Sequence, residues 1–456
     1  MAETPGARDL GRRAAERATA LGPALEFTAL GAGLTLLAVL LARLPGWIHD
    51  LRAFQILYLL AFACYAITLV RLPRYAALPR IGGAVFVVAL AARLGLLAAP
   101  PSLSDDIYRY VWEGRVLLHG GNPWAQIPLD PALIPLRDEH IFPAVNHPAL
   151  ATIYPPLAEA GFALVAAVSP TVGAMKLWVI LHDLALVALL IAWLRRHGRS
   201  PAWAVVYAWN PLVLVEYAGS GHNDPTGMVW LLAAIVVARE RPWASALALA
   251  AGTLVKLAPL LALPFLWRHW TWSARLLALA LLGAGLGAFA WLTRGANSGL
   301  HAYWDNWRNN ALVFEVVERW TGSFRTARTL GVITVLLVAA TALVRGWKAT
   351  HASRAMFKTA LLVSPVAHPW YQGWFLMLEP WAPSAPWILL SATAVLSYGV
   401  FATPAAGRDF HLPLGWRLVE YGAPALLALG LAGARAMRRG AAVSHPRPDP
   451  GETKDV

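Results

Sequence analysis

The chain has 456 residues, of which 58% are hydrophobic and 14% are charged, and its mean hydropathy is +0.52. This composition excludes a set of soluble domains and indicates a membrane protein, because several apolar runs of about 18 residues or more can each cross about 30 Å of hydrocarbon as a helix. The excess of 38 Lys and Arg over 25 Asp and Glu lies mostly in short loops between these runs, which the positive-inside rule explains better than nucleic-acid binding does.

Helical spans are predicted along the whole chain. Residues 1–24 are polar and basic, and the apolar run after them is too long for a signal-peptide core, so we expect a cytoplasmic segment and an uncleaved first span. The apolar runs do not alternate with polar residues as β-barrel strands do. We therefore predict an all-α polytopic protein with about ten full spans, at 25–43, 52–70, 82–99, 176–194, 202–219, 225–239, 274–292, 328–346, 386–403 and 416–436.

The loop charges predict the orientation of these spans. The loop over residues 100–153 carries six acids and three arginines, so we expect it to be external. The basic connections should be cytoplasmic under the positive-inside rule. They contain Arg71, Arg74 and Arg80; Arg195, Arg196 and Arg199; Arg239 and Arg241; Arg268 and Arg275; Arg345, Lys348, Arg354 and Lys358; and Arg435, Arg438 and Arg439.

This orientation constrains three further apolar segments. Residues 154–169 cannot cross the membrane and are predicted to be a helix in the external interface. Segments 243–267 and 355–379 begin and end on the basic side, so each is predicted to be a re-entrant pair of short helices, with Lys256 and the His368-Pro369 pair near the tips. Prolines occur where such breaks are needed, and irregular backbone at membrane depth requires protein or a cavity around it. Ordinary single spans are the alternative.

The stretch SLSDDIYRYVWEGR places several charges directly after an apolar run. On a helix, the spacing of Asp105, Asp106, Arg109 and Glu113 brings these side chains to one surface. A carboxylate beside an arginine stays ionised, as a general base or a cation ligand must. The alternative is structural: Ser104 caps a helix whose first acids interact with its dipole.

Two further polar groups interrupt apolar sequence. In EYAGSGHNDP, Asn223 or Asp224 could cap a helix that begins at Pro225, but this leaves His222 unexplained. Lys256 lies near the middle of an apolar segment, where snorkelling to an interface is difficult, so a cavity or an anion is the favoured partner.

Aromatic residues surround two weaker candidates. His368 lies in SPVAHPWYQGW, and HAYWDNWRNN covers residues 301–310. Such loops are typical of membrane-interface belts, and they are also suitable surfaces for stacking on sugars. Together with the acids, these polar residues fall on the external side, as in an extracytoplasmic active site.

Five segments resemble, in order and spacing, bacterial GT-C glycosyltransferases that use polyprenyl-phosphate sugars, and the polyprenol-phosphomannose-dependent α-1,6-mannosyltransferases above all. The segments, spread over residues 82–403, are SDDIYRYVWEGRVLLHGGNPW, YPPL, AWNPLVLVEYAGSGHNDP, LVKLAPLLALP and SPVAHPWY. The resemblance implies a GT-C-like module at 82–403 with external loops 100–153 and 293–327. Two N-terminal spans at 25–81 precede it, and a last span at 404–439 and a disordered cytoplasmic tail at 440–456 follow.

The resemblance also implies an enzyme of the bacterial inner membrane whose active site faces away from the cytoplasm. Its partners would be a polyprenyl-phosphate sugar donor, a lipid-linked glycan acceptor and membrane lipids. The family's acidic motif falls on Asp105 and Asp106, with Asp106 favoured as the base. Its loop-histidine region falls on His222, Asn223 and Asp224, and its intramembrane lysine falls on Lys256.

The chemistry of the residues agrees with these implications. Glycosyl transfer from a lipid phosphate needs a base for the acceptor hydroxyl and donor groups for the phosphate. The carboxylate pair fits the first role, and Lys256, Arg109 or His222 fits the second; Glu113 and His368 are further substrate-binding candidates. With a single displacement, inversion is expected. Any metal is unknown and a divalent cation cofactor stays open. The alternatives are a transporter or flippase and a polyprenyl-linked glycan polymerase or ligase.

Overall fold

The computed structural model describes residues 5–295, 297–402 and 412–444. Within these ranges the regular structure is helical, and one isolated β-bridge joins Asn309 and Val366. Of the described helices, 6 are long and apolar enough to cross a membrane by length and composition. The predicted all-α membrane fold is confirmed.

The first half of the described chain contains nine α-helices, a π-helix and three 3₁₀ turns. The α-helices are α1 (Pro5–Arg43), α2 (Leu51–Tyr75), α3 (Ile81–Leu97), α4 (Asp106–Leu118), α5 (Pro156–Val168), α6 (Val172–Arg196), α7 (Val205–Ala208), α8 (Pro211–Val213) and α9 (Asp224–Val237). The π-helix is Leu214–Gly219, and the 3₁₀ turns are Pro131–Leu136, Phe142–Ala144 and Pro201–Ala204. Helices α3 and α9 have 17 and 14 residues, so each is slightly shorter than the span predicted there.

The second half continues with α10 to α19. These are α10 (Pro242–Val255), α11 (Leu263–Trp267), α12 (Trp272–Leu292), α13 (Gly299–Asn306), α14 (Leu312–Thr321), α15 (Phe324–Val344), α16 (Ala349–Val363), α17 (Gly373–Leu376), α18 (Ala385–Thr393) and α19 (Leu414–Ser444). The 3₁₀ helices are Ala258–Ala262, Pro369–Gln372, Glu379–Trp381 and Ala394–Ala402. The predicted spans 274–292, 328–346, 386–403 and 416–436 fall largely within α12, α15, α18 with its 3₁₀ extension, and α19.

The prediction of one continuous span at 202–219 is wrong. The segment is divided among a 3₁₀ turn, α7, α8 and the π-helix, with a break before Pro211. Proline lacks an N–H and disfavours helical backbone at the preceding residue. Asn210 fills the break: its Oδ1 accepts from the Leu212 N–H at 2.9 Å, and its Nδ2 donates to Ser391 Oγ at 2.9 Å. Residues 204–228 are all buried, so the irregular backbone is enclosed by protein.

Both segments predicted to be re-entrant run out and back. Helix α10 ends at an extended Lys256, and a 3₁₀ turn and α11 return the chain, so that Trp270 Nε1 donates to Ser245 Oγ at 2.9 Å. Helix α16 likewise ends before the His368 turn, and Lys358 Nζ lies 2.5 Å from Glu379 Oε1 on the return. Each segment therefore ends beside its own beginning, and the two turns lie on the same side of the bundle because Lys256 and His368 line one cavity.

The first two helices pack against the remainder of the bundle. The Trp47 N–H, in the α1–α2 loop, donates to Ser102 Oγ at 2.8 Å. Its indole covers Gly219, where an added Cβ would lie 2.3 Å from the ring. On α2, the Tyr65 hydroxyl donates to the Val206 carbonyl at 2.7 Å. The α1–α2 loop therefore supports the start of loop 100–153, while the proposed division of the chain into domains stays a prediction.

Helix α5 and the two ends of the described chain differ in part from the predicted segments. Helix α5 has 13 residues, about 20 Å, which is too short to cross the membrane; its interfacial location stays a prediction. Helix α1 begins at Pro5, within the segment predicted at 1–24, and α19 continues to Ser444, past the predicted start of the tail. Parts of the predicted segments, at residues 1–4, 296, 403–411 and 445–456, lie outside the described residues.

Candidate active site

A cavity of about 480 Å³ lies between loops 100–153 and 293–327 and the turns of the two broken helices. Its wall includes five of the residues predicted as site residues, which are Asp105, Asp106, Arg109, Lys256 and His368. The other four are buried and stand outside this lining: Glu113, His222, Asn223 and Asp224. The structure thus places the candidates in two layers, one facing the cavity and one supporting it.

The two carboxylates at the start of α4 converge on one amide. Asn146 Nδ2 donates to Oδ1 of Asp105 and to Oδ1 of Asp106, each at 2.8 Å. The Asp105 side chain makes no capping bond to α4, and the Asp106 N–H donates instead to Ser104 Oγ at 3.3 Å. Ser104 therefore contributes at the helix start as predicted, and the carboxylates face the cavity.

The surroundings favour a basic carboxylate and a neutral imidazole. Burial raises the pKa of Asp105, and repulsion from Asp106 raises it further, although the bond from Asn146 acts in the opposite direction. A carboxylate with a raised pKa holds a proton more strongly and is a better general base. Burial lowers the pKa of His147, in the same wall, so this ring is largely uncharged at neutral pH.

Arg109 holds the loop that carries Asn146. Its Nε donates to Glu113 Oε1 at 2.7 Å. Nη1 donates to the carbonyls of Asn146 and His147 at 2.9 and 3.1 Å, and Nη2 donates to the carbonyl of Leu150 at 2.8 Å. Four of the five guanidinium N–H groups thus hold Glu113 and the backbone that positions the carboxylate pair, and the contact of Arg109 with substrate stays a prediction.

Glu113 supports Arg109 from behind the cavity wall. Its side chain is 2% exposed, and the Thr152 hydroxyl lies 3.0 Å from Glu113 Oε2 and 2.7 Å from Glu159 Oε1. The spacing of Arg109 and Glu113 on one helical face is as predicted. The predicted contact of Glu113 with substrate is not favoured, because burial separates its carboxylate from the cavity.

Lys256 lies where the first broken helix turns. Its Nζ is 2.7 Å from Asp224 Oδ2, and Trp374 Nε1 donates to Asp224 Oδ1 at 2.6 Å. Asp224 begins α9 and its side chain is 0% exposed, whereas the Lys256 side chain is 22% exposed. Within the described ranges Asp224 is the one hydrogen-bond partner of Nζ, which leaves two N–H groups for the cavity. This arrangement favours the predicted anion-binding role over snorkelling.

His222 and His368 belong to one aromatic stack. The His222 ring lies 3.7 Å from the Trp370 ring, centroid to centroid, and the Trp370 ring lies 4.1 Å from His368. His222 Nδ1 is 3.0 Å from Glu216 Oε2, and Asn223 bonds within its own helical turn. His222 and Asn223 therefore support the wall from outside, while Trp370 and His368 form part of it.

A second cavity of about 280 Å³ adjoins the first. Its lining is mostly apolar, with Leu257, Leu261, Phe357, Leu361 and Trp374 among its residues. The two cavities share five lining residues: Ile153, Tyr154, Lys256, Tyr303 and Tyr371. The first cavity, which contains the carboxylates and is called the polar cavity below, therefore meets this apolar cavity at a lysine.

Three polar residues of this region were not predicted as site residues. Asn146 joins the carboxylates, and the hydroxyls of Tyr303 and Tyr371 lie 2.9 Å apart between the cavities. Tyr303 and Tyr371 lie in the aromatic segments that the sequence did single out, so only their pairing was hidden. Asn146 carries no comparable signal, because an uncharged amide is ordinary in a long loop.

The arrangement can accept a proton and bind an anion. Asp105 and Asp106 supply basic oxygens, and Lys256 supplies a cation in the wall of the same cavity. In the part of the chain that the structure describes, no group of three or more His, Cys, Asp or Glu side chains could hold a metal ion. The divalent cation left open by the sequence stays open.

Comparison with known proteins gives one match. A family model described as alpha-(1->6)-mannopyranosyltransferase, N-terminal domain, matches residues 24–274, more than half of the chain. The matched range contains the second half of α1 and all of α2 to α11, and with them the carboxylate pair and Lys256. No curated protein and no solved structure matches the chain.

Proposed function

Because the chain belongs to the alpha-(1->6)-mannopyranosyltransferase family and is therefore a glycosyltransferase, we propose that it transfers mannose from a polyprenyl-phosphate donor to a lipid-linked glycan. Membership of this enzyme family argues against the alternative that the chain is a transporter or flippase. We further propose that transfer takes place on the extracytoplasmic face of the bacterial inner membrane. The observation that carries the proposal is the meeting of the polar and apolar cavities at Lys256.

The two cavities match the two parts of such a donor. An isoprenoid tail is apolar, and the cavity of about 280 Å³ lined by leucine and aromatic side chains suits it. A mannosyl group is polar, and the cavity of about 480 Å³ offers carboxylates, amides and aromatic faces. The phosphate between them would lie beside Lys256, whose ammonium group could bind it as a point charge.

The transfer itself needs one displacement. The acceptor hydroxyl oxygen attacks C1 of the mannosyl group, and its proton passes to the carboxylate of Asp106, the expected base, or of Asp105. The bond from C1 to the phosphate oxygen breaks, and its electron pair leaves with polyprenyl phosphate. A single displacement inverts C1, so an α-linked product requires a β-linked donor. Lys256 would stabilise the negative charge that develops on the leaving group.

The donor assignment can be tested with purified protein in liposomes. We expect radiolabelled mannose to reach a glycolipid acceptor from polyprenyl-phosphate mannose in the absence of nucleotides. A nucleotide-linked mannose donor, supplied to the same preparation, should give no product. Transfer from the nucleotide sugar but not from the lipid-linked sugar would contradict the proposal. Such transfer would require a nucleotide-binding site and would not require an isoprenoid-binding site.

The orientation can be tested by cysteine labelling. In a Cys64→Ser background, Glu139→Cys lies in loop 100–153 and Lys348→Cys lies in a basic connection; both native side chains are exposed. A membrane-impermeant maleimide added to intact spheroplasts should label position 139 and should reach position 348 only after permeabilisation. The reverse pattern would place the carboxylate pair on the cytoplasmic side.

A further inference from the structure

We propose that Tyr303 and Tyr371 form, together with Lys256, the binding site for the phosphodiester of the donor, at the boundary between the two cavities. The proposal rests on the proposed function and adds to it a pair of hydroxyl groups that the sequence did not identify. Its ligand is a phosphodiester that carries an isoprenoid on one side and a sugar on the other.

The three side chains occupy the boundary itself. Each lines both cavities, the two tyrosine hydroxyls are 2.9 Å apart, and Lys256 Nζ lies 5.2 Å from the centroid of the Tyr371 ring. A donor with its tail in the apolar cavity and its sugar in the polar cavity must cross this boundary. The phosphodiester is the group that crosses this boundary. Its oxygens would therefore lie beside the two hydroxyls and the ammonium group.

The boundary offers the hydrogen-bond donors that a departing phosphate requires. Of the two phenolic O–H groups, one is used within the Tyr303–Tyr371 pair and the other can donate to a ligand. Burial raises the pKa of Tyr303 to about 12, so its hydroxyl keeps its proton at neutral pH. Asp224 already balances the charge of Lys256. The tyrosine hydroxyls are neutral, so they can stabilise the leaving group without placing another charge in the buried site.

The backbone holds the two tyrosines in register. Tyr303 lies on α13, and Tyr371 lies in the 3₁₀ turn that follows His368. A short parallel bridge joins the two segments: the Asn309 N–H donates to the Pro365 carbonyl at 3.0 Å, and the Ala367 N–H donates to the Asn309 carbonyl at 2.8 Å. The bridge fixes the loop that carries one hydroxyl to the turn that carries the other, so the pair is formed before substrate binds.

The test uses the full-length protein in liposomes, with Tyr303→Phe, Tyr371→Phe, the double variant, and Tyr108→Phe as the control, since Tyr108 lines neither cavity. Each single variant keeps one hydroxyl and should lose about threefold to tenfold in kcat. The double variant removes the donors altogether and should lose about 100-fold or more, beyond the product of the single effects. Inhibition by polyprenyl phosphate without sugar should weaken in parallel, whereas the control should match the wild type.

The outcomes separate this inference from the proposed function. Wild-type kcat and wild-type inhibition in the double variant would overturn the phosphate site while leaving the donor assignment intact. If the wild type cannot use polyprenyl-phosphate mannose but binds polyprenyl phosphate through the tyrosines, the proposed function fails and the site stands. Should the double variant not fold, the single variants decide: their preference for polyprenyl phosphate over uncharged polyprenol should fall, and an unchanged preference in both overturns the proposal.

Discussion

Replacing Lys256 separates the contribution of the Lys256–Asp224 ion pair to folding from its contribution to transfer. Lys256→Met removes the cation beside the fully buried Asp224 carboxylate. Among the described residues, Trp374 Nε1 then remains as its hydrogen-bond partner. Removing one member of a buried pair costs about 3–5 kcal/mol, because the other charge stays desolvated and uncompensated. We therefore expect a marked loss of unfolding free energy in detergent, together with a loss of mannosyl transfer.

The double variant Lys256→Met/Asp224→Asn then removes the stranded charge. Asparagine can still accept the bond from Trp374, so stability should recover to within about 1 kcal/mol of wild type. Transfer should stay about 10²- to 10³-fold low, because the cation for the leaving group is absent. The control, Lys348→Met, changes an exposed lysine outside both cavities and should alter stability by less than about 0.5 kcal/mol. Full activity in the stable double variant would refute the role of Lys256 toward the donor.

Two further substitutions test other parts of the structure. Asn146→Ala removes a hydrogen bond that lowers the pKa of Asp105, so this pKa should rise and the acid limb of the kcat/KM profile should move to higher pH; an unshifted limb would exclude Asp105 from the rate-determining ionisation. In Gly373→Ala the new Cβ would lie 1.6 Å from the Tyr217 hydroxyl oxygen, so we expect a loss of about 1–3 kcal/mol in unfolding free energy. Gly287→Ala, which meets nothing within 4 Å, should cause no loss, and equal effects of the two substitutions would contradict this packing.

The broken helices could be predicted because two independent signals coincide in the sequence. Basic residues flank 243–267. For 355–379, the basic residues before the segment and those in the tail after the last two spans place both ends on the same side. Each segment therefore requires an even number of crossings, and prolines mark where the helix can break. Lys256 and His368 were placed near the turns by this reasoning, and both do line the cavity. Pro211 also indicated a possible break in 202–219, but that segment begins beside Arg199 and ends among acidic residues, so the loop charges agreed with a single crossing.

The supporting contacts of the candidate site could not be predicted, because they join distant parts of loops. Helical spacing predicts that Arg109 and Glu113 share a face, and they form an ion pair at 2.7 Å. The carbonyls that hold the other side of the Arg109 guanidinium, however, lie 37 to 41 residues further along the chain. The same loop brings Asn146 onto both carboxylates. A long irregular loop has no periodicity, so its path, and hence these contacts, emerge only in the folded structure.

The most direct test of the central proposal is mannosyl transfer by carboxylate variants. Asp105→Asn, Asp106→Asn and the double variant should be compared in membranes that contain equal amounts of each protein, with radiolabelled polyprenyl-phosphate mannose as the donor. We expect the double variant to be inactive and Asp106→Asn to be the more impaired of the single variants, because an amide cannot accept the proton of the acceptor hydroxyl. Wild-type transfer in all three would show that neither carboxylate is the base.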